Sequence, residues 1–463
     1  MSPYANLRAA LLVAIFTVRC AHVVAVPHAL PITDGPSIQK AIDSAPGQVV
    51  ILPPGEYEIS AAIVISKSGG GLVGPGRIIQ AAPDQPILIA SHADDVQIRN
   101  LVLTRKAGTE GAISGLIANS IRNLVVDNVQ VLDNRSASSS INIDKCVNGR
   151  LTYSLVRNYS RVSVDDRLAS PNYGFAFKCF DGTGIQLTGC RGMLLQGNRV
   201  EELNNVPTKE IKEQLGLGKF TKKNATKGTL TSQEVWDKEE YPQWHQGSAI
   251  FVGGPEDSDQ TQLIGNYVEN AAQGLDIQSD HVVVSQNIVN NAAVGMKAMH
   301  GSRNILILGN QFNRCNAHAI LLQPGATSHA AGDGVPSNGI PAGSPANIDG
   351  ASIIANNIVS NFGYGDSNWM WGNERDVICL EPGQLPQNPA LSDVIVNGNI
   401  VYDQGRDGMV VDGKATKVPP RYRYALLISG SSPNANGPVR TRIYDNIFDP
   451  GSAGVSNVRV ESQ

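Results

Sequence analysis

The chain has 463 residues, of which 41% are hydrophobic, so it is long enough to bury a large core. Its net charge of −4 and isoelectric point near 6.1 do not provide the basic surface that nucleic-acid binding needs, and we predict no nucleic-acid partner. After the N-terminal segment no apolar run reaches about 18 residues, so we predict no membrane span in the rest of the chain.

The N-terminus has the pattern of an export signal. Arg8 supplies a positive charge, an apolar segment follows over 10–18, and small residues end it at Ala25. We predict a cleaved signal peptide over 1–26 and a secreted or periplasmic mature protein with one domain over 27–463. The alternative is a frayed N-terminal extension.

The next predicted elements are a short helix and a strand. From Asp34 to Ala45 the apolar residues Ile38, Ala41 and Ile42 fall on one helical face. A strand and a turn follow over 49–59. We predict that this helix, strand and turn form one segment, 34–60, that precedes the repeated part of the chain.

From about residue 61 to 450 a unit recurs roughly every 21 to 26 residues, the period of a solenoid. Each unit holds a short strand, a turn, a second short strand, an Asn and a two-residue apolar step. We predict a right-handed parallel β-helix, an all-β fold in which each coil buries its apolar face against its neighbours. An Asn in the left-handed conformation suits the repeated bend. The predicted ladder comprises Asn100, Asn128, Asn198, Asn266, Asn287, Asn310, Asn357, Asn399 and Asn446.

One strand of each coil is predicted to alternate between core and solvent, with its first and third residues pointing inward. These strands begin at Ile87, Leu116, Ile141, Ile185, Ala249, Leu275, Met296, Ile320, Ile378 and Leu426. The second and fourth residues of each strand would then form outward columns along the solenoid.

Six cysteines are present, one of which would leave with the signal. Cys146 and Cys190 fall at the same turn of consecutive coils, about 5 Å apart by strand spacing. A disulfide between them would suit an exported protein, and stacked free thiols are the alternative.

Long insertions enter before these strands, at 158–183, 204–247, 360–376 and 403–424, while 325–349 enters at the opposite end of its strand. Long loops on one edge of a solenoid usually build its binding face. All four tryptophans lie in these insertions: Trp236, Trp244, Trp369 and Trp371. They are candidates for stacking on sugar rings, or alternatively they pin the loops to the solenoid.

The outward columns supply candidate catalytic residues. Asp276 and Lys297 take equivalent positions on adjacent coils, about 5 Å apart, and His300 and Arg303 follow the Lys297 strand. Lys297 is a candidate base, or a cation that binds an acidic sugar. The alternative is a cross-strand ion pair without a functional role, which would contribute about 0.2–1 kcal/mol to stability. Further outward residues that could contact substrate are Gln278, Gln323 and Glu381, with Met299, Asn142, Asp144, Gln186 and Thr188 beside them.

The run from Ser37 to Ser60, SIQKAIDSAPGQVVILPPGEYEIS, resembles the opening of secreted proteins of the pectate-lyase-like parallel β-helix superfamily. The resemblance is architectural, and in that superfamily such a helix caps the first coil. Many members are polysaccharide lyases or epimerases, which remove the proton α to a uronate carboxylate. The polygalacturonase pattern of Asn-Thr-Asp, Asp-Asp, His-Gly and Arg-Ile-Lys is absent as a set, and so is the Asp-Pro-His-Asp motif of mannuronan epimerases.

That resemblance implies an enzyme that acts on a uronic-acid polysaccharide, with Lys297 as base and Arg303 or His300 binding the carboxylate or protonating the leaving oxygen. Asp276 or Asp144 could hold Ca²⁺, which prefers oxygen ligands. We expect a monomer whose partner is the polysaccharide itself.

Two alternatives remain open. A glycoside hydrolase would pair Asp276 with a second carboxylate from a loop, for which the candidates are Asp237, Glu239, Glu240, Asp366, Glu374 and Asp376. A non-catalytic surface or glycan-binding β-helix would use the same groove without turnover.

Overall fold

The computed structural model describes residues 30–109, 113–162, 167–170, 174–203, 243–245, 247–254, 259–365, 375–428 and 436–459. The predicted signal peptide lies outside them. Within these ranges no helix combines the length and apolar character needed to cross a bilayer.

The chain folds as a right-handed parallel β-helix, as the repeat predicts. A helix over Gly35–Ser44 precedes the coils and buries Ile38 and Ala41. It begins at Asp34, whose side chain accepts a hydrogen bond from the Ser37 amide, and the Ser37 side chain in turn accepts one from the Asp34 amide. This reciprocal capping satisfies amides that a helix start leaves unpaired.

One wall of the solenoid is a parallel sheet of twelve described strands. They are Val49–Ile51, Gly71–Val73, Gln97–Arg99, Val125–Asp127, Arg150–Thr152, Leu194–Gln196, Gln262–Ile264, Val283–Ser285, Leu306–Leu308, Gly350–Ala355, Ser392–Asn397 and Arg442–Tyr444. Its central residues stack in register: Val126 pairs with Ile98 on one side and Leu151 on the other, and all three are fully buried. Stacked aliphatic side chains of this kind form the core of the solenoid.

The other two walls join into one sheet of 22 described strands. The series that follows the bend comprises Glu56–Ile59, Arg77–Gln80, Val102–Arg105, Gln130–Leu132, Leu155–Arg157, Arg199–Glu201, Tyr267–Ile277, Ile288–Ala298, Gln311–Asn313, Ile358–Ser360, Ile400–Tyr402 and Ile447–Phe448. The second series, called here the groove wall, comprises Ile63–Ile65, Leu88–Ser91, Leu116–Asn119, Ser139–Asp144, Thr183–Thr188, Ser248–Gly253, the ends of the two long strands, His318–Leu322, Asp376–Leu380, Tyr424–Ile428 and Gly454–Ser456. The walls join because Tyr267–Ile277 and Ile288–Ala298 each run through both series without a break.

Insertions add smaller elements. Arg161–Val162, Arg167–Ser170, Gly174–Asp181 and Gln243–His245 form a four-stranded sheet that connects two separate insertions. Met409–Val411 pairs with Lys414–Thr416, and 3-10 turns occur at Pro336–Asn338 and Gln404–Asp407.

The Asn ladder is confirmed for seven residues and wrong for two. Six side-chain hydrogen bonds link seven successive residues, Asn198, Asn266, Asn287, Asn310, Asn357, Asn399 and Asn446. The left-handed residue of each bend is the one before them, such as Gly265 and Gly309. Asn100 and Asn128 occupy that earlier, exposed position, with φ of 54° and 49°. The repeat therefore contains two polar positions, which the sequence pattern merged into one.

The predicted alternation along the groove wall is correct for eight of the ten strands and shifted by one residue in the other two. Leu88 and Ala90 point inward, and so do Ile250 and Val252, which pair with Leu275 and its neighbours. The shift turns Phe251 outward, in register with Asp276. Apolar residues at three consecutive positions, 249–251, left the register ambiguous in the sequence.

Cys146 and Cys190 stack at one turn as predicted, but the disulfide considered above is not formed. Both side chains are buried, and the Cys146 amide donates to the Cys190 Sγ at 3.4 Å. The hydrogen bond between the two side chains, together with burial, raises the pKa of the Cys146 thiol, whereas the same hydrogen bond lowers the pKa of Cys190.

Candidate functional site

Outward side chains of the groove wall form a continuous row across its middle coils. Strand pairing places Phe251, Asp276 and Lys297 side by side on three successive strands. Leu321 and Cys379 continue the same row on the next two. Because the strands are parallel and in register, residues far apart in the sequence lie about 5 Å apart here.

Asp276 and Lys297 form an ion pair at the centre of this row. The Lys297 Nζ lies 3.2 Å from Asp276 Oδ2, and the two side chains are only 17% and 6% exposed. Ser248 Oγ donates to the same carboxylate oxygen at 3.1 Å, and Gln278 Nε2 approaches Oδ1 at 3.4 Å. The pair is therefore held more rigidly than a solvated ion pair, and Lys297 has a defined position for reaction.

His300 lies beside this pair and is neutral over most of the pH range. Burial, reinforced by the positive charge of Lys297, lowers its pKa to about 4. Its Nδ1 faces the Thr327 amide at 3.4 Å and the Thr327 hydroxyl at 3.2 Å. Since an amide can only donate, Nδ1 is the acceptor and the proton sits on Nε2, from which the ring can donate a hydrogen bond.

The insertion 325–349 fixes the position of His300. Asn347 Nδ2 donates to the carbonyls of His300 and Thr327, both at 3.0 Å. The buried Asp349 accepts hydrogen bonds from the amides of Gly301 and Ser302, and burial raises its pKa to about 7. These contacts fasten the insertion to the end of the Lys297 strand.

Gly325 packs directly against the imidazole, so we expect Gly325→Ala to displace it. An added Cβ would lie 2.3 Å from His300 Nδ1, and such overpacking costs about 1–3 kcal/mol. The displaced ring gains solvent, so its pKa should rise from about 4 towards 6.5, the ordinary value. Nitrogen-15 NMR titration of the chain's 8 histidines measures this shift.

Ala330→Gly is the matched control, because Ala330 is exposed in the same insertion. It should leave the His300 titration unchanged. An unchanged titration in Gly325→Ala would show that the glycine does not position the ring.

Arg303 is not brought to the Asp276–Lys297 pair. Its Nε donates to Asp280 Oδ2 at 2.7 Å, at the turn that leaves the groove wall, and Asn304 and His281 contact the same carboxylate. The sequence placed Arg303 only by its distance along the chain, which does not reveal which way a turn residue points. Asp280 holds the guanidinium there, so Arg303 takes no part in the site described here.

The Ca²⁺ that the superfamily resemblance implies does not fit these residues. Ca²⁺ requires about six to eight oxygen ligands, whereas the Asp276 oxygens face the nitrogen of Lys297 and donors from Ser248 and Gln278. Asp144, the other predicted ligand, accepts a hydrogen bond from Asn119 Nδ2 at 2.7 Å. Neither carboxylate is surrounded by the oxygens that the ion prefers.

Further along the groove wall, the predicted contact residues Gln323 and Glu381 meet. Gln323 Nε2 donates to Glu381 Oε2 at 3.1 Å. Burial raises the pKa of Glu381 and that of the neighbouring Cys379 thiol. Cys379 Sγ lies 3.0 Å from His318 Nδ1, a contact that the sequence did not suggest.

Most of the predicted loop residues lie outside the described part of the chain. Trp236, Trp369 and Trp371 lie outside the described residues, and Trp244 lies in the strand Gln243–His245, whose side chains are also outside them. Among the candidate second carboxylates only Asp376 is described. It is buried and held by Arg423 at 2.8 Å and by the Tyr424 amide at 2.9 Å.

Four contributing residues were missed in the sequence. Phe251 presents an aromatic ring next to Asp276, with Gly253 beneath it, and correct register at 249–251 would have shown this. The same correct register would also have placed Ser248 beside Asp276. His318 and Cys379 meet only after a long insertion closes, although both stand on strands that the repeat identifies.

No protein-family model and no curated protein matches the sequence. Solved structures do resemble the fold. An alginate lyase of family PL6 in complex with a trisaccharide has a TM-score of 0.52 at 9% identity, over 89% of this chain and 76% of that one. The family 28 exopolygalacturonase of Yersinia enterocolitica has a TM-score of 0.53 at 13% identity, over 93% of this chain and 77% of that one. The DFA-IIIase of Arthrobacter chlorophenolicus A6 has a TM-score of 0.51 at 16% identity, over 95% of this chain and 98% of that one.

These likenesses establish the class of protein, a right-handed parallel β-helix. Identities of 9–16% carry the fold and not the chemistry. What the site does must therefore be argued from its own residues.

Proposed function

We propose that the chain is an exported enzyme that acts on a uronic-acid-containing polysaccharide by removing the proton α to the carboxylate. The outcome is β-elimination or C5 epimerisation. The observation that carries the proposal is the Asp276–Lys297 pair, partly buried in the groove wall beside a neutral His300. The proteins named above that share the fold include an alginate lyase and an exopolygalacturonase, which is consistent with such a substrate.

Lys297 is the group that takes the proton. To act as the base it must first release its ammonium proton to solvent; the amine then removes the proton on C5, and negative charge builds up on the substrate carboxylate. In elimination those electrons form the C4–C5 double bond while the C4–O4 bond breaks, and the ammonium of Lys297 returns the proton to the leaving oxygen. In epimerisation a water molecule delivers a proton instead to the opposite face of C5, and the Lys297 ammonium gives its proton to the hydroxide that remains. Asp276, 3.2 Å away, holds the amine in position.

His300 stabilises the charge that develops. As a neutral ring with its proton on Nε2, it can donate a hydrogen bond to the substrate carboxylate, and it remains in this form down to about pH 4. A positioned donor of this kind in a water-poor site is worth several kcal/mol to a transition state with new anionic charge. Phe251 would stack on a sugar ring at the neighbouring subsite, since aromatic faces suit the apolar faces of sugars.

The test is ultraviolet absorbance of the purified mature chain with alginate, pectate and glycosaminoglycans, each with and without Ca²⁺. A rise from unsaturated uronate ends, or inversion at C5 detected by proton NMR of the polymer, supports the proposal. New reducing ends without unsaturation would replace it with hydrolysis by Asp276 and a loop carboxylate. Retention on a polymer with no chemical change would replace it with a glycan-binding β-helix, and no response to any of these polymers overturns the substrate class.

A further inference from the structure

Three side chains of metal-binding type converge on the groove wall, two strands beyond Lys297. A ring nitrogen of His318, Cys379 Sγ and a carboxylate oxygen of Glu381 all lie within 4.8 Å of one another. His318 begins one strand, and Cys379 and Glu381 are alternate residues of the adjacent strand and its end. The fold therefore brings together a nitrogen, a sulfur and an oxygen from positions about 60 residues apart by strand pairing alone.

The surroundings of the cluster favour a cation. Cys379 is fully buried, and His318 and Glu381 are partly buried. The Asp376 carbonyl accepts a hydrogen bond from His318 Nδ1 at 3.1 Å, which fixes the orientation of the ring. Gln323 Nε2 donates to Glu381 Oε2, which orients the carboxylate as hydrogen-bonding partners commonly orient metal ligands.

We propose that His318, Cys379 and Glu381 bind a divalent cation of the Zn²⁺ type, with a fourth position left for water or a sugar oxygen. One thiolate and one imidazole suit Zn²⁺, whereas Ca²⁺ and Mg²⁺ prefer oxygen alone. Ligand bonds of about 2.1 and 2.3 Å in a tetrahedron separate nitrogen from sulfur by about 3.6 Å. The 3.0 Å observed between His318 Nδ1 and Cys379 Sγ is within a small side-chain adjustment of that value.

Binding is a simple exchange of a proton for the metal. The S–H bond of Cys379 breaks, its proton goes to water, and the sulfur forms a bond to the cation. The proton that His318 Nδ1 donates to the Asp376 carbonyl moves to Nε2, which leaves the Nδ1 lone pair for the metal, and Glu381 binds as a carboxylate. No oxidant or reductant is needed, and the site does not depend on the polysaccharide chemistry proposed for Lys297.

The test uses the purified full chain, stripped with a chelator and kept reduced, and titrated with Co²⁺ at pH 7.5. We expect one Co²⁺ per chain and a near-ultraviolet charge-transfer band, which a thiolate–cobalt bond produces. Stoichiometric Zn²⁺ should abolish the band and raise the thermal midpoint. At a metal concentration 100 times the dissociation constant the stabilisation is about 2.7 kcal/mol.

Cys379→Ser and His318→Ala should each remove the band. Cys315→Ala is the matched control, because Cys315 is a fully buried thiol elsewhere in the core, and it should keep the band. If Cys379→Ser does not fold, Glu381→Gln, which keeps the side-chain size, should weaken Co²⁺ binding at least tenfold. Absence of the band in the reduced wild-type chain, or its persistence in Cys379→Ser, would overturn the site and leave a thiol–imidazole hydrogen bond.

Discussion

Replacing Lys297 with alanine is expected to leave the solenoid folded and to abolish turnover of the uronate polymer. Losing a positioned base costs about 10²–10⁴-fold in rate. Polymer binding, which the rest of the groove provides, should change far less. The measurement is kcat from the ultraviolet assay, together with binding of the intact polymer and a thermal unfolding curve.

Lys297→Arg separates catalysis from charge. A guanidinium keeps the positive charge and can still pair with Asp276, but it does not lose its proton in proteins. If Lys297 is the base, the arginine variant binds polymer and remains inactive. Substantial activity in it would mean that Lys297 only neutralises the substrate carboxylate, and full activity in the alanine variant would remove the residue from the mechanism.

The pH profile should show the same role. Only the neutral amine accepts a proton, so the rate should rise with pH on the alkaline side. His300 should not contribute a step above about pH 5, because its pKa of about 4 keeps the ring neutral there. Initial rates between pH 5 and 10 at saturating polymer test this, and a bell centred near pH 6 would implicate a histidine instead.

Asn310→Ala is expected to cause the largest loss of stability. The fully buried Asn310 donates from Nδ2 to the Val284 carbonyl and to Asn357 Oδ1, both at 2.9 Å. Its Oδ1 accepts from the amide and side chain of Asn287 at 2.9 and 3.0 Å. Alanine leaves these groups buried without partners, at about 1–3 kcal/mol each, so we expect roughly 3–5 kcal/mol in the free energy of unfolding by urea.

Asn128→Gly is the control for that loss. Asn128 is exposed at a bend, in the left-handed region that glycine adopts freely, and donates to Asn100 at 2.9 Å. Its replacement should cost less than about 1 kcal/mol. Equal losses in the two variants would mean that the buried ladder adds nothing beyond an ordinary turn asparagine.

The fold was readable from the sequence because its information is periodic. The pattern of strand, bend and Asn recurs in many coils, and each occurrence predicts the same fold. A register error in one strand, as at Phe251, therefore does not change the predicted fold. The Asp276–Lys297 pair was predictable for the same reason, since two adjacent coils without insertions align unambiguously. The ion pair's burial was not predictable, because it depends on Ser248, Gln278 and the neighbouring coils.

The errors and omissions fall where the repeat is interrupted. Arg303 follows the strand in a turn, where alternation no longer sets the direction of side chains, and Asp280 binds it there. His318 and Cys379 are 61 residues apart, separated by two insertions that hide their register. The predicted export, single domain and monomeric state concern features that the described residues do not test.

The two unbroken strands, Tyr267–Ile277 and Ile288–Ala298, have a consequence for how a polymer is bound. Asp276 and Lys297 lie at the ends of these strands, whose bends at Asn270 and Asn291 are linked by a 2.7 Å hydrogen bond. Amides there should be among the last in the molecule to exchange with heavy water. The protein would then lose little conformational entropy on association, and the entropic cost of ordering would fall on the flexible sugar chain. Stiff polysaccharides with a regular, ribbon-like chain conformation should bind more tightly than irregular polysaccharides of equal charge.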